Sequence, residues 1–127
     1  MTVSYRTFED LEFYKTAREF RKAIYTLIKT LPSEEKYNLA SQMRRAATSL
    51  TNNIAEGNGR YHYQESIQFC RQARGTLAEL IDDLNICIDH KYFPEKEMNE
   101  LKQNAHEINK LLNGFLAYLK RSKASDS

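Results

Sequence analysis

Gln42, Arg45, Ser49, Asn52 with Asn53 beside it, and Glu56 recur at steps of three and four residues, the spacing that gathers side chains on one face of an α-helix. They are amides, a hydroxyl, one guanidinium and one carboxylate, groups that can satisfy each other when withdrawn from water. A solvated face ordinarily carries long, flexible charges. The stripe is therefore expected to be a hydrogen-bonded network at a helix or subunit interface, built from Gln42, Arg45, Ser49, Asn53 and Glu56; the plainer alternative is a solvated face. Arg44, Thr48 and Thr51 fall on another face, expected to point outward. A second constellation, Arg60-Tyr61-His62-Tyr63, follows Gly57-Asn58-Gly59 and interleaves basic and aromatic groups, which can hold a phosphate and stack a base. With Arg44, Arg71 and Arg74 added, the expected nucleic-acid site is Arg44, Arg60, Tyr61, Tyr63, Arg71 and Arg74. Its alternative is a cover for the end of a helix bundle.

Patterns that would signal catalysis are weak. Cys87 and His90 stand at i, i+3, but a metal site needs further ligands, and the pair reads more simply as a core thiol and a helix-end histidine. A di-iron bundle needs Glu-x-x-His, which does not occur in the chain. Glu79 and Asp82 are a carboxylate pair of the kind that holds magnesium, yet no matching acidic cluster precedes them. No phosphate-cradling glycine loop and no nucleophile signature is present. The expectation is a protein without catalytic residues, metal or cofactor, with a metal-dependent hydrolase on Glu79 and Asp82 as the remotest alternative.

The elements that must position these groups are four amphipathic helices. Phe13, Ala17, Phe20, Ile24, Leu27 and Leu31 form one apolar seam; Leu39, Met43, Ala46, Leu50 and Ile54 a second; Phe69, Ala73, Leu77, Leu80, Leu84 and Cys87 a third; and Met98, Leu101, Ala105, Ile108, Leu112, Phe115 and Leu119 a fourth. Stop and start signals place the helices at roughly 8–31, 34–56, 63–90 and 94–121. Ser33 is expected to cap the second, with Glu34 and Glu35 against its positive end. Gly57 is expected in the left-handed conformation that ends it, and Pro94 in the first turn of the fourth. Gly75 and Gly114 interrupt helical patterns and predict a close approach by a neighbouring helix, in this chain or another copy. Met1 to Arg6 and the segment from about Ser122 are polar and unpatterned, and disorder is expected there. Short connections between long helices make the expected fold an all-α, antiparallel, up-down-up-down four-helix bundle in one domain, 1–127.

Composition agrees. Gly and Pro are scarce in the 127 residues, at 4 and 2, and charged residues make up 28%, which favours helices over a turn-rich β fold. A formal net charge of +2 is low for a sequence-independent nucleic-acid binder, so contact would rest on local patches. Cys70 and Cys87 lie on one helix, about 25 Å apart along its axis, too far to bridge. Two unpaired thiols and no long uncharged apolar run place the chain in the cytoplasm, away from the membrane.

The motifs also carry a resemblance. Phe8-Glu9-Asp10-Leu11, Leu31-Pro32-x-x-Glu35, Gln42-x-Arg44-Arg45-Ala46 and above all Ser49-x-x-x-Asn53-Ile54-Ala55-Glu56-Gly57-x-Gly59-Arg60 are similar to the four-helix-bundle proteins encoded in intervening sequences of bacterial 23S ribosomal RNA genes, the S23 family. Ala73-x-Gly75-Thr76-Leu77-x-Glu79-Leu80 is a weaker echo. The resemblance implies an up-down bundle assembling as a homopentamer, and kinship in fold with accessory proteins of diversity-generating retroelements, which bind nucleic acid and a reverse transcriptase. It implies no catalytic activity, and the family's tie to ribosomal RNA is one of gene location. The combined expectation is a homo-oligomer binding RNA or DNA through basic patches, Gly75 serving the subunit contact; the alternative is a scaffold for a protein partner.

Overall fold

The computed structural model describes residues 8–58 and 63–126, side chains excepted at 58, 63 and 122–126. Four α-helices occupy most of it: α1 Glu12–Ile28, α2 Leu39–Asn58, α3 Tyr63–Asp89 and α4 Glu95–Asp126. Among the described residues there is no strand. All four seams meet in one core, where Ile24, Met43, Leu50, Leu80, Leu84, Met98, Ile108 and Leu112 are wholly enclosed. Leu31, Phe69, Leu101 and Phe115 are half-buried at its margins. Each helix packs on two others, α1 with α2 and α4, α3 with α2 and α4, while among the described residues the backbones of the pairs α1/α3 and α2/α4 stay further apart, across the core.

Polar contacts record how the helices lie together. Arg21 Nη1 of α1 donates to Thr51 Oγ1 of α2 at 2.8 Å, and one turn further along α1 the Tyr25 hydroxyl is hydrogen-bonded to Thr48 Oγ1. Thr51 is buried and Thr48 half-buried, so this face of α2 looks at α1, contrary to the outward orientation expected of Thr48 and Thr51; both hydroxyls bond across the helix pair. Phe13 near the start of α1 packs against Phe115 late in α4, the rings tilted 39° with centroids 4.9 Å apart. Ser66 Oγ, in the first turn of α3, donates to the Gly57 carbonyl at 2.7 Å.

Helix boundaries depart from expectation at local bonds. Phe8–Asp10 form a separate 3₁₀ turn, and Leu11 is extended, with φ −72° and ψ 130°, so α1 starts only at Glu12. It ends at Ile28 because Leu27 O is taken by the Thr30 backbone N–H and hydroxyl and because Pro32 restricts the residue before it. The second helix begins at Leu39, not Glu34. Ser33–Glu35 are a 3₁₀ turn in which Ser33 caps nothing; Asn38 holds the cap position and its carbonyl accepts from Gln42 N–H. α4 starts one residue after Pro94, whose carbonyl accepts from Met98 N–H, and continues to Asp126 where disorder was expected from Ser122. Residues 1–7 lie outside the described part.

At the C-terminal end of α3, Tyr92 N–H bonds to Cys87 O and Lys91 N–H to Ile88 O, each at 3.0 Å. This is the Schellman arrangement, and Lys91, with φ 58°, occupies the left-handed position usually held by glycine.

Candidate nucleic-acid and subunit interfaces

The polar stripe lies on α2 beside its contact with α3. Arg45, Asn52 and Glu56 are exposed, and Gln42, Ser49 and Asn53 are half-buried. Within the chain, Asn53 Nδ2 donates to Ser49 Oγ at 3.1 Å. Thus Ser49 and Asn53 are brought into contact, while Arg45 reaches solvent.

Gly57, at the C-terminal end of the same helix, is helical, not left-handed: no described glycine has positive φ. Its requirement is steric. A Cβ there would lie 3.0 Å from Phe69 Cβ of α3 and 3.5 Å from Ser66 O, so α2 and α3 close on each other at this point because the residue has no side chain. Gly75 and Gly114 are the reverse case. A Cβ at either would meet nothing within 4 Å among the described residues, and both are exposed, so no described part of this chain supplies the helix approach expected at these positions.

The basic residues are divided. Arg60, Tyr61 and His62 lie outside the described residues, as does the side chain of Tyr63. Arg71 and Arg74 are exposed on α3, where Arg74 Nη1 donates to Asn113 Oδ1 of α4 at 2.7 Å. Arg44 is exposed one turn before Thr48, on the side of α2 that faces α1. It lines a cavity with Lys29, Lys36 and Tyr37 at the α1–α2 connection. Arg44 and Arg74 thus border different helix pairs, and the single patch expected from the sequence is two features. Lys36 and Tyr37 were not marked by sequence because they belong to no helical stripe; a basic residue next to an aromatic just ahead of the α2 cap was the available signal.

Two carboxyl groups stand in opposite settings. Glu35 accepts from the Tyr92 hydroxyl at 2.7 Å and from Asn38 Nδ2 at 3.1 Å. These bonds, first that from Tyr92, together with one from the Leu39 backbone, hold its carboxyl below the usual range. Glu35 is therefore the partner of the α2 N-terminus that the sequence anticipated, acting from outside the helix. Asp83 is the opposite. It is only 3% exposed, its Oδ2 has no hydrogen-bond partner, and burial, with Glu79 and Asp82 adding repulsion, pushes it up to about 6.

The proposed catalytic alternatives do not assemble. Cys87 is fully buried while His90 is exposed and stacked on Tyr92. Burial pushes the thiols of Cys70 and Cys87 up to about 11, far from the thiolate form that reacts. Glu79 and Asp82 are exposed, and among the described residues no three His, Cys, Asp or Glu side chains converge as a metal site requires. No helix among the described residues is long and apolar enough to cross a membrane.

Fold and surface define a small all-helical bundle whose notable polar groups lie on helix faces and at a bundle end. The chain belongs to the 23S rRNA-intervening sequence protein family, whose model matches residues 9–114. A solved structure of a protein of unknown function from the S23 ribosomal protein family of Bacteroides thetaiotaomicron is similar, with 25% sequence identity and a TM-score of 0.77, over 83% of this chain and 95% of that one. No match was found among curated proteins.

Proposed function

We propose that this chain is a non-catalytic subunit of a homo-oligomer, a pentamer by family resemblance, that binds RNA or DNA through basic surface groups. An up-down-up-down order is supported by Arg21 and Tyr25 pairing with Thr51 and Thr48, since advance along α1 is retreat along α2. Phe13 against Phe115 supports the same relation for α1 and α4. Subunit contact through Gln42, Arg45, Ser49, Asn53, Glu56 and Gly75 is supported by exposed Gly75, which no neighbour among the described residues explains.

The observation that carries nucleic-acid binding is that Arg44 and Arg71 are exposed and engage no carboxylate among the described residues. Unpaired guanidinium groups are the ordinary ligands of a phosphate backbone. Arg60, Tyr61 and Tyr63 would add to them at the α2–α3 connection. Retardation of mixed-sequence RNA and DNA at low salt, falling steeply as salt rises, is the test; failure of both to bind removes the functional half. Light scattering tests assembly, and a stable monomer at micromolar concentration removes that half.

A second reading, a scaffold for a protein partner, is favoured by the groove between α1 and α4, where Leu27, Phe93 and Leu101 form an apolar floor beside Glu97 and Glu100. Capture of a defined protein by nuclease-treated material would select it.

A further inference from the structure

The cavity at the α1–α2 connection has a volume of about 440 Å³, within the range of about 300–1,000 Å³ typical of ligand sites. Ile28 and Leu31 supply apolar wall, Lys29, Lys36 and Arg44 supply three cations, and Tyr37 stands among them, with the first turn of α2 alongside. No carboxylate lines it. The nearest in sequence are Glu34, which is exposed and not part of the wall, and Glu35, whose carboxylate is engaged with Tyr92 and Asn38. The end of α1 accounts for Lys29 through the helix dipole, but not for Lys36 or Arg44.

Tyr37 is 87% exposed, at a bundle end where an aromatic ring would be expected to cover the core. The Lys36 ammonium lies over one face of its ring, 5.3 Å from the centre, so a cation and an aromatic surface whose other face can stack are already held together. Of the first-turn amides of α2, the Leu39 N–H is served by Glu35, and Lys29, Lys36 and Arg44 are the charged groups of the lining.

We infer that this cavity binds a base and its adjoining phosphate from single-stranded nucleic acid, the base stacked on Tyr37 and the phosphate held by Lys36 and Arg44 with Lys29 beside them. Stacking on an exposed aromatic next to cations is how single strands are held without reading their sequence. Three cations without a carboxylate select an anionic ligand, and Tyr37 selects one that has an aromatic ring. The inference rests on the nucleic-acid reading above and gives it a location at the α1–α2 connection, on residues of which only Arg44 was marked by sequence.

The test is fluorescence anisotropy of a short, labelled, mixed-sequence single-stranded RNA against the full chain over a range of salt. Tyr37→Ala should weaken binding by about 5- to 100-fold, as loss of one stacked base does, and Tyr37→Phe should leave it near the wild type. Lys36→Gln with Arg44→Gln should lower the slope of log affinity against log salt by about one to two units. Arg71→Gln with Arg74→Gln serves as a comparison on α3. Circular dichroism checks the fold, which these exposed positions should leave intact. If the wild type binds RNA and both the Tyr37→Ala and the Lys36/Arg44 variants bind equally well, this site is overturned and the broader function stands. If the wild type binds no RNA, both are overturned.

Discussion

Gly57 of α2 and Phe69 of α3 stand so close that a methyl group on the glycine would lie 3.0 Å from the phenylalanine Cβ. A Cβ is fixed to the backbone and cannot swing aside, so relief requires the helices to separate. Gly57→Ala should therefore lower stability by about 1 kcal/mol, overpacking outweighing the gain of helix propensity. Gly75→Ala, with open space around it, should raise monomer stability by up to about 1 kcal/mol. Denaturant titration of both variants checks the contrast, and sizing of Gly75→Ala reports whether another copy needs the gap.

Lys91 holds a left-handed conformation at φ 58° that costs an L-residue about 1 kcal/mol. Lys91→Gly should relieve most of it, partly offset by the greater freedom of glycine in the unfolded chain, for a net gain of about 0.5 kcal/mol. Lys91→Val should destabilise. Thermal unfolding of the two variants side by side is the measurement.

Thr51 is a buried hydroxyl that accepts from the Arg21 guanidinium and donates to Thr48 O at 3.3 Å. Thr51→Val keeps the volume but leaves the half-buried Arg21 without its acceptor, at a cost of about 1–3 kcal/mol. A double-mutant cycle with Arg21→Met should recover part of that loss, since the unsatisfied donor is then gone.

Asp83 imposes a pH dependence of defined sign. Its folded-state pKa of about 6 lies above the ordinary value of 3.8, so the folded chain binds more protons between those values. This contribution to stability is greatest below about pH 4 and declines as pH rises to about 6, then levels off. Asp83→Asn should remove the decline and stabilise the protein at pH 7 by roughly 1–3 kcal/mol. Urea midpoints at pH 4, 5, 6 and 7 would show it; a steeper decline in the variant would contradict the assignment.

The sequence exposed the fold because burial has a period. The seam residues Phe13, Ala17, Phe20 and Ile24, or Leu77, Leu80 and Leu84, are buried in the structure as their spacing requires. What it concealed turns on contacts between distant residues. α2 starts at Leu39, whose backbone bonds to Glu35, and Glu35's partner Tyr92 lies beyond α3; neither residue has a local signature of that bond. Thr51 looked like a surface hydroxyl because Arg21, its partner, is on another helix. Asp83 fell between Leu80 and Leu84 without disturbing the apolar seam, and its isolation is visible only once neighbouring helices are in place. At the candidate sites, spacing identified the stripe on α2, whereas Lys36 and Tyr37 are joined to Arg44 by the fold and by no repeat.

The Glu35–Tyr92 hydrogen bond spans 57 positions of sequence and fastens the α1–α2 connection to the α3–α4 connection. Two segments that would otherwise fray independently thereby become one mechanical unit. Their backbone amides should exchange hydrogen for deuterium at a shared rate, and Tyr92→Phe should uncouple them. A chain cut within either connection would still be held at that end by the other. The bundle has, in effect, a clasp between two of its connections.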